Sequence, residues 1–281
     1  MGQVGTDAIE RACARPCPIC GGRDPSPFLR KDFNISCNDY FEGRRNYPEN
    51  LGEVPYVECR ACGFVWAPPL HDWPAEAFRQ RVYNEDYVLC DPPFETLRPR
   101  MLAAWVSGFA AGRSLLDYGG GNGATARELR AAGVDAVCWD PFFAPSPPPA
   151  ARFGVVTAFE VVEHVPDQSA LFGTLAGLCG DGFLVFSTLL RPRGLRGDWW
   201  YACARNGHVS LHTRDSLGAV AEAAGLSLRS LGPEIHVAAP RGRGAPPDIP
   251  LPATPINGKP GYRMDAASGA FRALDPTRRA A

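Results

Sequence analysis

No stretch of the 281 residues approaches the roughly 20 consecutive apolar side chains that a membrane-spanning helix needs. The first fifteen residues carry charges and no apolar segment. A secretory leader is therefore not expected, and a cytoplasmic protein is the expectation. Charge of one sign is also lacking: 29 Lys and Arg stand against 30 Asp and Glu, a formal net charge of −1. That excludes a fold-wide basic field for gripping nucleic acid, though not a local patch. Internal repeats are absent. Apolar content is present in quantity, at 45% hydrophobic against 21% charged residues, enough for a sizeable globular core.

Ten cysteines are many for a reducing compartment, and four of them are paired. Cys17-Pro-Ile-Cys20 and Cys59-Arg-Ala-Cys62 have the spacing of metal ligands rather than of disulfides. Two such knuckles can deliver four thiolates tetrahedrally to one Zn²⁺, and a closed Cys₄ set argues for a structural role. Gly21 and Gly63 follow the second Cys of each pair, where a tight knuckle needs a permissive backbone. Residues 28–55 are expected to form an inserted loop or hairpin. Unliganded thiols and a redox Cys-x-x-Cys are the alternatives.

Composition divides the chain into a zinc-binding module over 13–75, a linking helical segment over 76–112, an α/β domain over 113–240 and a Pro/Gly-rich tail over 241–281. The tail reads as mobile. In the α/β part, strands are expected at 114–118, 135–139, 153–159 and 182–189, with a closing pair at 226–231 and 234–239. Helices are expected at 95–111, 122–132, 168–179 and 214–224, the last capped by Thr213.

The most informative segment is Leu115-Leu116-Asp117-Tyr118-Gly119-Gly120-Gly121-Asn122-Gly123. A buried strand ends in an acid, and a glycine cluster turns the chain into a helix. Such glycines let a ligand approach the backbone, and the helix N-terminus offers N–H groups to an anion. Asp140, at the end of the next strand, can accept both hydroxyls of a ribose. Gly119-x-Gly121 also satisfies a loose dinucleotide pattern, so NAD has to be weighed. Asp117 favours S-adenosylmethionine (SAM), because a carboxylate there suits the methionine ammonium and repels a pyrophosphate.

Together with Asp140, and with Phe159-Glu160-Val161-Val162-Glu163-His164-Val165-Pro166-Asp167, this segment resembles the class I SAM-dependent methyltransferases over roughly residues 83–239. The zinc-ribbon-like start followed by Tyr83-x-x-x-Tyr87 is similar to the bacterial sugar and small-molecule methyltransferases that carry a zinc-binding module. The resemblance implies a Rossmann-like sheet in which Gly119 and Gly121 pass the methionine part of SAM, with Asp117 near its ammonium. It implies that Asp140 holds the ribose, that Pro141 and Phe142 lie beside the adenine, and that Phe159 and Glu160 flank the sulfonium. Tyr83 and Tyr87 would reach back over the cofactor. One departure stands out. Between Asp140 and Phe153 the family places a helix and an edge strand, whereas this chain has a proline-rich run that neither tolerates, so a shortened edge is expected.

Methyl transfer needs an aligned acceptor and often a base. His208, His164 and Glu160 are the candidates. Trp199, Trp200 and Tyr201 could form either a substrate wall or a loop anchor, and Arg191, Arg193 and Arg196 could meet an anion. His212 reads as structural. The expected activity is methyl transfer to O, N or C of a small molecule, a sugar or secondary metabolite being favoured. The alternatives are an RNA methyltransferase using the zinc module to hold nucleic acid, and a non-catalytic protein that keeps the fold for interaction.

Overall fold

The computed structural model describes residues 9–11, 13–45, 47, 51–91, 97–143, 147–192, 194–259, 262–265 and 271–274. At the N-terminal end β1 (Pro25–Asp32) and β2 (Glu53–Cys59) pair antiparallel, Pro25 opposite Cys59 and Asp32 opposite Glu53. A single helical turn, α1 (Asp39–Glu42), lies in their connection, so the expected insertion is a hairpin with a helical turn at its tip. The short β3 (Val65–Trp66) pairs with β2. Four helices lead to the second half of the chain: α2 (Pro68–His71), α3 (Ala75–Arg81), α4 (Tyr87–Cys90) and α5 (Leu97–Ala110).

The α/β half then runs β4 (Ser114–Tyr118), α6 (Ala124–Ala131), β5 (Asp135–Trp139), β6 (Val155–Ala158), α7 (Gln168–Cys179) and β7 (Phe183–Ser187). It continues with β8 (Ser210–Leu211), α8 (Arg214–Ala223), β9 (Leu226–Ser230) and β10 (Ile235–Pro240). Six strands form one sheet in the order β5-β4-β6-β7-β10-β9. β5, β4, β6 and β7 are parallel, and β10 runs antiparallel to both β7 and β9. Every residue of β6 and β7 is buried, as a parallel strand covered on both faces requires.

Alternation along the strands splits the core. Leu115 packs with Leu102, Val106 and Leu129 on one face, and Leu116 packs with Leu171, Phe172 and Leu217 on the other. Each leucine buried this completely contributes about 2 kcal/mol. The helices on the second face start on strong caps. Asp167 accepts a hydrogen bond from Ala170 N–H, and Thr213 and Ser216 form a reciprocal capping box.

Among the described residues no strand lies between Trp139 and Val155, so β5 is the sheet edge; residues 144–146 of the proline run lie outside them. Two arrangements were not legible in the sequence. First, β8 does not join the main sheet. It pairs with β3 to complete a four-stranded sheet, β1-β2-β3-β8, so the connection after β7 is built into the N-terminal module. Trp199, Trp200 and Tyr201 on that connection are buried with Phe33, Tyr56 and Leu70. Second, the stretch read as a mobile tail is anchored to the fold at separate points as far as Lys259. Ile249 and Ile256 are 6% exposed, and Trp105 Nε1 donates to Pro250 O at 2.8 Å. Prolines suit an irregular segment of this kind because they bring no N–H that needs a partner. Pro260 and residues 266–270 and 275–281 of the tail lie outside the described residues; Tyr262–Met264 and Phe271–Ala273 pair as a short hairpin.

Candidate active site and metal centre

A cavity of about 550 Å³ opens at the C-terminal ends of β4, β5 and β6, where open α/β sheets place their ligands. The ten residues that the resemblance assigned to the cofactor all line it: Tyr83, Tyr87, Asp117, Gly119, Gly121, Asp140, Pro141, Phe142, Phe159 and Glu160. They come from four separate parts of the chain, so the fold brings together what the motifs only suggested.

The glycine turn forms one wall. Gly119 and Gly121 have φ of +71° and +57°, in the left-handed region. A Cβ on Gly119 would lie 2.6 Å from Val161 Cγ2, and one on Gly120 would collide with the Asp117 carboxylate. Gly119 N–H donates to Trp139 O at 2.7 Å, which ties the turn to the neighbouring strand end. Asp140 does the same from its side chain. Its Oδ2 accepts from Gly121 N–H at 2.9 Å, and its Oδ1 accepts from Phe142 and Phe143 N–H. Part of this carboxylate therefore holds the turn, and Oδ2 keeps acceptor capacity for a ligand.

Asp117 is 3% exposed. Its Oδ1 accepts from Thr157 Oγ1 at 2.9 Å, while its Oδ2 is buried without a hydrogen-bond partner. Burial pushes its carboxyl up to about 7, with the Thr157 bond opposing and the Asp140 charge adding. A buried carboxylate with one unsatisfied oxygen beneath the glycine turn, on a residue that lines the cavity, is a place for a cation.

Glu160 has φ of +54°, the sole non-glycine residue with positive φ among the described residues. Ser187 Oγ satisfies both its N–H, at 2.7 Å, and its Oε1, at 2.8 Å. Strain of this kind, about 1–3 kcal/mol, marks positions where the surroundings hold a side chain for a purpose. Burial raises the Glu160 carboxyl, and Arg98 opposes that.

The histidines separate. His164 lines the cavity, and its Nδ1 has no hydrogen-bond partner. Burial lowers it to about 4, so it is a neutral imidazole at neutral pH. His208 does not reach the cavity. It is 5% exposed behind His164, with ring centroids 4.9 Å apart, and its Nδ1 is bonded to Tyr201 O at 2.7 Å. Of the candidate bases, His208 is thus set back from the cavity, because the loop carrying it folds into the N-terminal core. Glu163, His164 and His208 bring their ligand-type atoms within 4.8 Å of one another, and Tyr201 OH donates to Glu163 Oε1 at 2.5 Å. Trp199 and Trp200 are anchors rather than a substrate wall. Arg191 and Arg196 both bind Glu58, at 2.7 and 3.1 Å, and Arg193 lies outside the described residues. His212 is structural, bridging Ser216 and Gln168.

Sequence reasoning missed a part-buried ion pair on the cavity wall. Arg98 donates twice to Asp91, at 2.6 and 3.0 Å. Nothing in the sequence marks Arg98 apart from Arg100, the other arginine of α5. Trp73 and Phe78 also line the cavity from the N-terminal side. They carried no motif signal, because their placement across the cavity from the glycine turn is a tertiary fact.

About the cysteine pairs the sequence was more explicit. Cys17, Cys20, Cys59 and Cys62 lie with their Sγ atoms within 4.8 Å of one another. Cys17 to Cys62 is 3.7 Å and Cys20 to Cys59 is 3.6 Å. Four sulfurs tetrahedral about one metal at ~2.3 Å stand about 3.8 Å apart, so the set fits a metal ion. Gly21 and Gly63 have φ of +69° and +73°, and their N–H groups close the knuckles onto Cys17 O and Cys59 O.

Comparison with known proteins adds three findings. A protein family described as a methyltransferase domain matches residues 75–231. No curated protein matches the chain. Among solved structures, the pyocyanin biosynthetic protein PhzM is 14% identical, with a TM-score of 0.42 over 62% of this chain and 61% of that one. A Burkholderia thailandensis 1,6-didemethyltoxoflavin-N1-methyltransferase with bound S-adenosylhomocysteine is 17% identical, with a TM-score of 0.43 over 69% and 96%. The magnesium protoporphyrin IX methyltransferase of Synechocystis PCC 6803 is 17% identical, with a TM-score of 0.39 over 50% and 81%.

Proposed function

Because the chain belongs to the methyltransferase-domain family, we propose that it transfers a methyl group from SAM to a small-molecule acceptor bound in the cavity under the N-terminal module. One observation carries the choice of cofactor. Asp117 Oδ2 is a buried, unpartnered carboxylate oxygen at the glycine turn, and the α-ammonium of SAM supplies the missing cation. A pyrophosphate would place like charge against it. Asp140 Oδ2, beside its bond from Gly121 N–H, has acceptor capacity for a ribose hydroxyl. Phe142 and Pro141 offer apolar surface to the adenine, and Phe159 and Glu160 flank the sulfonium. Tyr83 and Tyr87 cover the cofactor from the linking segment, Tyr83 standing 4.7 Å from Phe142 between ring centroids.

When bound, SAM supplies the electrophilic methyl and its own leaving group. The protein's remaining tasks are alignment, exclusion of water and proton removal. His164 is the base in this reading. It lines the cavity and is neutral, so its ring can accept a proton, while its Nδ1 is buried against Gly207. His208 acts through it as a positioning residue, held by Tyr201. A sugar or secondary metabolite with an ionisable hydroxyl, amine or carbon acid is the acceptor class. Zn²⁺ on the four cysteines is structural: four thiolates complete its coordination and leave no position for substrate.

The test is calorimetric titration of the purified protein with SAM and with NAD. SAM binding in the micromolar range, with no heat from NAD, is expected. Binding of NAD, or of neither, would overturn the reading.

A further inference from the structure

The segment after β10 lies beyond the residues that match the family, yet it touches Glu160, which lines the cavity. It is pinned at successive points. Ile249 and Ile256 are buried against the sheet half, and Trp105 Nε1 holds Pro250 O. The buried Glu234 carboxylate, on the turn between β9 and β10, then accepts from the N–H groups of Ile256 and Asn257, at 3.0 and 3.1 Å. Lys259 ends the run in the N-terminal module. Its Nζ donates to Asn38 Oδ1 at 2.9 Å and sits 5.6 Å from the ring centroids of both Phe41 and Trp200.

Between these anchors Asn257 is 4% exposed, and its Nδ2 donates to Glu160 Oε1 at 3.1 Å. Ser187 Oγ donates to the same oxygen, so both bonds fix one side of the carboxylate and leave Oε2 for a ligand. Glu160 already has an unfavourable backbone conformation that fixes where its side chain starts. Asn257 fixes where it ends. A donor pair on one carboxylate oxygen also favours the charged form, as a site for a sulfonium requires.

We propose that the strap of residues 241–259 is a working part of the cofactor site, with Asn257 a positioning residue that holds the Glu160 carboxylate toward the methyl donor. This rests on the reading that the cavity takes SAM with its sulfonium beside Glu160.

The experiment is a double-mutant cycle on the full chain, read by calorimetry with SAM and by thermal melting. Asn257→Ala is expected to weaken SAM binding about tenfold, the scale of one hydrogen bond to a charged group. In a Glu160→Gln background the same change is expected to alter affinity less than about twofold, because no carboxylate remains to be held. Equal weakening in both backgrounds would mean that the strap supports the fold only, and would overturn the proposal. So would unchanged affinity in Asn257→Ala when Glu160→Gln binds SAM weakly; the cofactor reading would then survive alone. If Glu160→Gln binds SAM as tightly as the parent protein, both fall together. Should Asn257→Ala fail to fold, the isosteric Asn257→Asp replaces it. A carboxylate facing Glu160 is expected to weaken SAM by more than tenfold, and parental affinity in that variant would overturn the proposal.

Discussion

At the scale of single residues, the site is a set of ionisable groups that burial holds away from their ordinary states. His164 and His208 share one loop cluster, yet only His164 faces the cavity. His164→Asn is therefore expected to lower turnover about 100-fold on an acceptor found by screening with labelled SAM, while SAM affinity stays within threefold. Because His164 titrates near 4, the parent enzyme should show no loss of turnover from this group between about pH 8 and pH 5. A turnover unchanged by the substitution would remove His164 as the base. The sequence exposed His164 through its motif. It could not distinguish His164 from His208, because what separates them is the depth of a loop packed on Phe33, Tyr56 and Leu70. Arg98 and Asp91 were invisible for a related reason: an ion pair seven residues apart on a helix boundary looks like surface charge until packing part-buries it.

Elements were legible where periodicity and punctuation agreed. The strands at 114–118 and 135–139 and the helix at 168–179 fall where the apolar pattern and the glycine stops put them. Thr213 caps α8 as its position suggests. The missing edge strand was legible too, since prolines deny both helix and central strand. β8 was not. Two residues carry no period, and their partner, β3, lies about 145 positions earlier. The metal knuckles are the clearest elements to test. Cys59→Ser is expected to bind no zinc where the parent protein binds one per chain, and to lower the thermal midpoint, since metal binding and folding of such a site are coupled. Because β2 pairs with β3, and β3 with β8, the damage should spread to the loop carrying His208 and appear as loss of hydrogen-exchange protection there. Retention of one zinc per chain in Cys59→Ser would contradict the assignment.

At the scale of the whole molecule, the cavity lies where the glycine turn and neighbouring strand ends of the sheet meet the tyrosines and Arg98 of the linking segment, with the strap behind Glu160. Composition alone suggested consecutive modules and a loose tail. Core and sheet formation instead interleaves them, and that cannot be read from composition because long-range pairing leaves no local mark. The account depends on what fills the space beside Asp117. Without a cation there, ionising Asp117 costs stability. The unfolded carboxyl loses its proton near 3.9, whereas the folded one keeps it to about 7, so the folded state binds more protons and loses stability as pH rises through that window. An ammonium bound at Asp117 reverses the preference and favours the carboxylate.

The most direct measurement is the affinity for SAM as a function of pH in the parent protein and in Asp117→Asn. In the parent, affinity should rise about tenfold between about pH 6 and pH 7.5, as the Asp117 carboxyl ionises. In Asp117→Asn it should be weaker and flat over that range. A parent profile that is flat, or one that Asp117→Asn reproduces, would contradict the account.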